Sequence, residues 1–239
     1  MPIEDDALMI PDDRPKSYTL SGAELPAKTR QSWHPWIQKF VGLEPAEATR
    51  CLHDRWASID RESLRALRET LSEFEVREVI DFGDGGLIRA VRTTTNDESV
   101  GNCFYLPGPL EADVLNARLS SVSLSENVAL QEFMSHFAGL AEDTRVAGHF
   151  VYSESPWPVF DERLRDYVDD EEVFEAWMGS LMLYHARNGC QVLVHPTGRV
   201  AWWVMQEASI NEIAESFDDF LFLFNEHRKH SLPFDPYGP

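Results

Sequence analysis

The sequence predicts an α+β fold, a mostly antiparallel sheet flanked by helices with a C-terminal amphipathic helix packed on it. Two observations carry this. Leu181–Ala186, Gln191–His195 and Val200–Met205 are short apolar runs separated by Asn188-Gly189 and Pro196-Thr197-Gly198. Both breaks are turn signals, because Gly and Asn accept positive φ and Pro fixes its own. The runs therefore read as three antiparallel strands. After them, Ile210, Ile213, Ala214, Phe217, Phe220, Leu221 and Phe224 recur every three or four residues. That period places them on one helical stripe. Ser209 and Glu212 have capping-box spacing, so the predicted helix runs from Ser209 to Arg228, and Leu232-Pro233 ends it. Successive strand residues face opposite ways. Only one of Trp202 and Trp203 can therefore reach the core beneath this helix, and the other must find a second layer or the surface.

Upstream, residues 1–30 are polar and acidic and carry four prolines. They predict an extended arm. Residues 31–109 predict N-terminal helices and a hairpin that extend the same sheet. Trp33, Trp36, Ile37, Phe40 and Val41 share a helical face over Ser32–Val41, which predicts docking on the core. Pro45–Trp56 and Asp60–Phe74 predict helices, the second with Leu64, Leu67, Leu71 and Phe74 in register. Val76–Phe82 and Leu87–Thr95 predict a hairpin across Gly83-Asp84-Gly85-Gly86. That glycine cluster lacks the Gly-Lys-Ser/Thr and the helix of a phosphate loop. Asn102–Leu106 predicts one more strand. Helices are expected at Leu110–Leu119 and from a cap at Ser125, and a strand at Val146–Tyr152. Asp161–Gly179 is acidic, with Val173, Phe174 and Trp177 at helical spacing. Residues 231–239 form a tail.

Composition narrows the function. The chain has 41 acidic and 21 basic residues, a net charge of −20. This excludes the nucleic-acid binders, whose affinity comes largely from Lys and Arg. No apolar run is long enough to span a bilayer, so no membrane partner is expected. The acidic N-terminus lacks the basic segment of a signal peptide. Cys51, Cys103 and Cys190 are widely spaced and odd in number, which fits a reduced, cytoplasmic setting.

Catalytic chemistry has little to stand on. His185, Cys190 and His195 on adjacent strands could approach zinc, although their spacing matches no zinc finger. With the abundant acids they would make a metal-dependent hydrolase. No G-x-S-x-G nucleophile elbow occurs, and nothing singles out a pair of carboxylates. The expectation is no catalytic residue, no metal and no cofactor.

Gly198-Arg199-Val200-Ala201-Trp202-Trp203, then Ile213-Ala214-Glu215-Ser216-Phe217-Asp218-Asp219-Phe220-Leu221, resembles the end of a SUKH-superfamily domain. Leu110–Leu119, Leu124–Met134 and Gly139-Leu140 are similar to its opening, with Leu-Ser where Leu-Pro is usual. The resemblance covers 110–230 and names a family of fungal cell-wall-synthesis regulators and bacterial toxin-immunity proteins. It implies a non-enzymatic module that binds one protein partner. The acidic charge suits an immunity protein that neutralises a basic, nuclease-like toxin. A regulatory scaffold in cell-wall or signalling assembly is the alternative. Trp157, Asp169, Asp170, Glu171, Glu172 and Trp203 are the expected partner contacts, as aromatic anchors near loops and a dense acidic run.

Overall fold

The computed structural model describes residues 16–19, 32–81, 85–93, 102–142, 148–152, 156–186 and 188–237. Nine strands lie among them, and every paired neighbour is antiparallel. The first meander is β1 (Lys16–Thr19), β2 (Phe74–Asp81), β3 (Gly86–Arg92) and β4 (Cys103–Leu106). The second is β5 (His149–Phe150), β6 (Leu181–His185), β7 (Gln191–Val194), β8 (Val200–Val204) and β9 (Ser209–Ala214). Among the described residues Ala141 joins them, pairing with Tyr105 of β4 on one side and with His149 of β5 on the other. Apart from β1, the expected arm over residues 1–30 lies outside the described residues.

Strand alternation divides the apolar side chains between two faces. Leu181, Leu183, Val192, Val194, Val200 and Trp202 enter the main core, whereas Met182, Leu193, Ala201 and Trp203 enter a second cluster behind the sheet. A register shift in β6 between Met182 and Tyr184 lets Leu183 and Tyr184 both join the main core. That is the expected effect of one extra residue in a ladder.

Helices cover the main face. They are α1 (Pro35–Gln38), α2 (Pro45–Arg55), α3 (Glu62–Leu71), α4 (Ala112–Ser121), α5 (Val128–Phe137) and α7 (Phe217–Lys229), with α6 (Glu171–Trp177) on the other side. Their apolar stripes meet in one cluster: Leu52 from α2, Leu67 from α3, Leu119 from α4, Phe133 from α5 and Phe220 from α7. Trp33, Ile37 and Phe40 dock there as expected. Asn127, and not Ser125, caps α5, accepting from the Leu130 N–H at 3.0 Å.

The long C-terminal helix needs a larger correction. Ser209–Ala214 is strand β9, paired along β8. A 3₁₀ turn at Met205–Glu207 ends in Ala208 at φ 48°, which reverses the chain and sets Ser209 opposite Val204. Ile210 reaches the second cluster and Ala214 the main one. Ser216 is extended, and its Oγ accepts from the Asp219 N–H at 3.2 Å, so α7 starts there. Ser216→Ala is expected to cost about 1 kcal/mol, as the loss of an N-cap. Ser209→Ala should stay within about 0.5 kcal/mol, an ordinary surface change. Urea unfolding of the two variants checks this, and equal costs would contradict the boundary.

Where the two meanders meet, four elements bury a charge network. Arg228 of α7 pairs with Glu142 at 2.9 Å, both side chains 1 % exposed. Tyr184 Oη donates to the other Glu142 oxygen, and the Phe234 N–H donates to it at 3.2 Å. Burial, and then Glu142, push the Tyr184 phenol well above its ordinary pKa. Arg228 also donates to the Cys103 carbonyl at 3.3 Å. Arg92 caps the end of α7 through the carbonyls of Arg228 at 2.6 Å and Lys229 at 3.1 Å. Phe234 inserts among Tyr184, Trp202, Phe220 and Phe224, which seats the tail.

Candidate functional site

The acidic run folds into an outer layer over the second cluster. A 3₁₀ helix at Glu162–Tyr167 leads into α6. Phe160, Leu164, Phe174 and Trp177 face inward onto Met182, Leu193, Ala201, Trp203 and Ile210. What remains outside is charged. Segment 161–175 carries eight carboxylates (Asp161, Glu162, Asp166, Asp169, Asp170, Glu171, Glu172, Glu175) against Arg163 and Arg165.

Arg165 organises the layer. It bonds Glu162 at 2.6 Å, Glu175 at 2.6 Å and Glu171, with its guanidinium 4.4 Å from the Phe174 ring centre. One cation shared among three carboxylates has its pKa raised by those bonds, and Glu162 is correspondingly lowered. Arg163 does the same for Asp161 at 2.7 Å. Asp170 is the α6 N-cap, accepting from the N–H groups of Glu172 at 2.9 Å and Val173 at 3.1 Å. Carboxylates also suit a helix N-terminus electrostatically. Arg199 borders the layer, 5.2 Å from the Trp177 ring centre and 2.8 Å from Glu212. Met178, after α6, is an exposed apolar side chain beside these charges.

Of the expected contacts, Asp169, Asp170, Glu171 and Glu172 are exposed on this layer. The two tryptophans are corrected. Trp157 is 1 % exposed, with Nε1 donating to the Tyr152 carbonyl at 3.4 Å and Arg118 over its ring. Trp203 is fully buried under the 3₁₀ helix, with Nε1 donating to the Tyr167 carbonyl at 3.4 Å. Neither side chain can meet a partner. Pleating of β8 turns Trp203 inward, whereas Trp157 is covered from a loop, and sequence neighbours alone reveal neither.

The hairpin register separates the histidines. His185 sits opposite Gln191, whereas His195 follows Val194 at the other end of β7, opposite the start of β6. His195 Nδ1 instead meets Thr197 Oγ1 at 2.7 Å, and its ring packs edge-on against Trp177. Among the described residues no three His, Cys, Asp or Glu side chains are placed to hold a metal. No helix among them is long and apolar enough to cross a membrane.

His185 packs against His149 at 5.4 Å between ring centres. Burial, with His149 adding to it, pushes the His185 imidazole down to about 4. The unfolded chain, at an ordinary pKa of about 6.5, takes up this proton first. Stability should therefore fall as pH drops from about 6.5 to about 4, by on the order of 3 kcal/mol from this group. His185→Asn should remove that part of the slope in urea unfolding at a series of pH values; an unchanged slope would exclude His185 as its source.

A scan against protein-family models, and searches of curated proteins and of solved structures, find no match.

Proposed function

We propose that this chain is a non-enzymatic protein-binding module of the SUKH type, an immunity protein whose acidic outer layer covers a basic, nuclease-like toxin partner. The observation that carries the reading is the layer just described, with eight carboxylates and two arginines on a 3₁₀ helix and a short helix held by their own apolar core. Arg163 and Arg165 are spent within the layer. A basic surface approaching it meets uncompensated carboxylates on the exposed side, which steers association and sets orientation. The likeness of residues 198–203 and 213–221 to the end of a SUKH domain supports the same class.

Capture of partners from the native host's lysate tests this, with elution at low and at high salt. A basic nuclease-like protein that elutes as salt rises is the expected result, since screening shortens to about 3 Å at 1 M. Charge reversal at Glu171 and Glu172 should weaken the same complex. A partner held equally at high salt would defeat the electrostatic reading, and recovery of envelope or signalling proteins would favour a regulatory scaffold.

A further inference from the structure

The end of α7 turns the chain back on itself. Ser231 takes φ 57°, its N–H donates to the Arg228 carbonyl at 3.2 Å, and the Leu232 N–H donates to the His227 carbonyl at 3.0 Å. These two bonds are the Schellman pattern, in which a left-handed residue closes a helix and reverses the backbone. Glycine usually holds that place. Here Ser231 does, with its Oγ 2.7 Å from Asn102 Oδ1. Pro233 cannot continue a helix, and beyond it Phe234 is buried.

That path puts a histidine between two carbonyls. His227 is half-buried on α7, its ring edge-on to Phe234 at 5.2 Å between ring centres. Nδ1 lies 3.0 Å from the Leu223 carbonyl oxygen, one turn back on the helix, and Nε2 lies 2.8 Å from the Asp235 carbonyl oxygen in the tail. A carbonyl oxygen can only accept. A neutral imidazole has one N–H and one lone pair, whereas the imidazolium has two N–H groups. Only the charged ring can therefore satisfy both contacts at once. In the neutral ring a lone pair faces one of the oxygens. If Nε2 holds it, the tail carbonyl is repelled directly. If Nδ1 holds it, the Leu223 carbonyl is fixed in the helix, so the ring swings away and carries Nε2 off Asp235.

Glu226, Lys229 and His230 are the titratable neighbours of His227 on α7. Glu226 is held low by its bond to Lys229 and, more weakly, by His230 and His227. Arg228 points the other way, into Glu142. From the tail comes Asp235, whose carboxylate accepts from the Tyr237 N–H at 3.1 Å.

We propose that His227 is a proton-operated latch on the C-terminal tail: the imidazolium fastens Asp235 to α7, and loss of the proton frees residues 235–237. Charge-assisted bonds are the strong ones, and histidine is the side chain that changes charge in the neutral range. The latch is closed on the acid side and opens as pH rises, opposite in sense to the acid destabilisation assigned to His185. Phe234 stays anchored meanwhile, because its N–H bonds Glu142 and its ring packs on Tyr184, Trp202 and Phe224. The latch is separate from the acidic layer and does not depend on the immunity reading.

The test records long-range 15N–1H NMR spectra of the histidine rings in the full chain from about pH 5.5 to about pH 9, with the heteronuclear NOE of the Tyr237 amide at each point. Both His227 ring nitrogens should carry protons at the acid end and only one at the basic end. The Tyr237 NOE should fall with the same midpoint, from a value like that of α7 towards that of a free chain end. The ratio of fastened to free tail should drop about tenfold, the worth of one charge-assisted bond. His227→Gln, which takes up no proton, should abolish the step, and His230→Gln should keep it. A single protonated ring nitrogen at the acid end, a Tyr237 NOE that ignores pH, or a step that survives in His227→Gln would overturn the proposal.

Discussion

Arg228→Met is expected to cost about 3–5 kcal/mol of folding free energy, because it strands the Glu142 carboxylate in the interior. Glu142 is 1 % exposed and is held by Arg228, Tyr184 and the Phe234 amide. Removing Arg228 leaves two neutral donors facing a full charge, and also frees the Cys103 carbonyl. The double variant Glu142→Gln/Arg228→Met should lose less than the sum of the two single changes. Replacing both members of a buried pair is often close to neutral, whereas removing one is not. Urea unfolding of the four proteins measures the coupling. Additive losses would mean that the pair contributes no interaction of its own.

Trp203→Ala is expected to cost about 3–5 kcal/mol, the usual range for emptying a buried aromatic site. The ring fills the space between Phe160, 5.1 Å away, and the strands behind it, and its N–H is satisfied by the Tyr167 carbonyl. The acidic layer rests on this packing, so the loss should appear first as loosening of residues 160–178. Affinity for the proposed partner, measured on the folded fraction, should follow this loosening. A variant of wild-type stability that lost its partner completely would restore Trp203 as a contact residue.

Much of the fold was legible because pattern and turn chemistry agreed. The strands 181–185, 191–194 and 200–204 sit where apolar runs and glycine breaks placed them, with Gly189 and Gly198 at positive φ. Trp202 and Trp203 divide between two cores, as pleating requires. The illegible part is equally specific. Ile210, Ile213 and Ala214 fit a 3.6-residue period together with Phe217, and Ser209 offered a cap at the wrong place. Nothing local distinguishes that from a strand that ends and a helix that starts three residues later. The signal lies in Ala208 and in pairing with β8, which are tertiary facts. The candidate site was half visible. Charge density marked Asp169–Glu172, but burial of Trp157 and Trp203 follows from layers that composition does not encode.

The single-residue link at Ala141 bears on the order in which the chain gains structure. Within each meander, most neighbouring strands are also neighbours along the chain, and the hairpins at 188–189 and 197–198 close over very few residues. Such contacts form early, because short loops sacrifice little chain entropy. The bonds that lock the halves together span 86 residues for Arg228 to Glu142, 125 to Cys103 and 136 for Arg92 to Arg228. Ala141 offers one rung on each side to guide that closure. The last helix and the tail behind it therefore add the most distant closures to a core that the two sheets already share through Phe104, Trp56, Phe137, Phe133 and Phe150, which run from β4 to β5 without them.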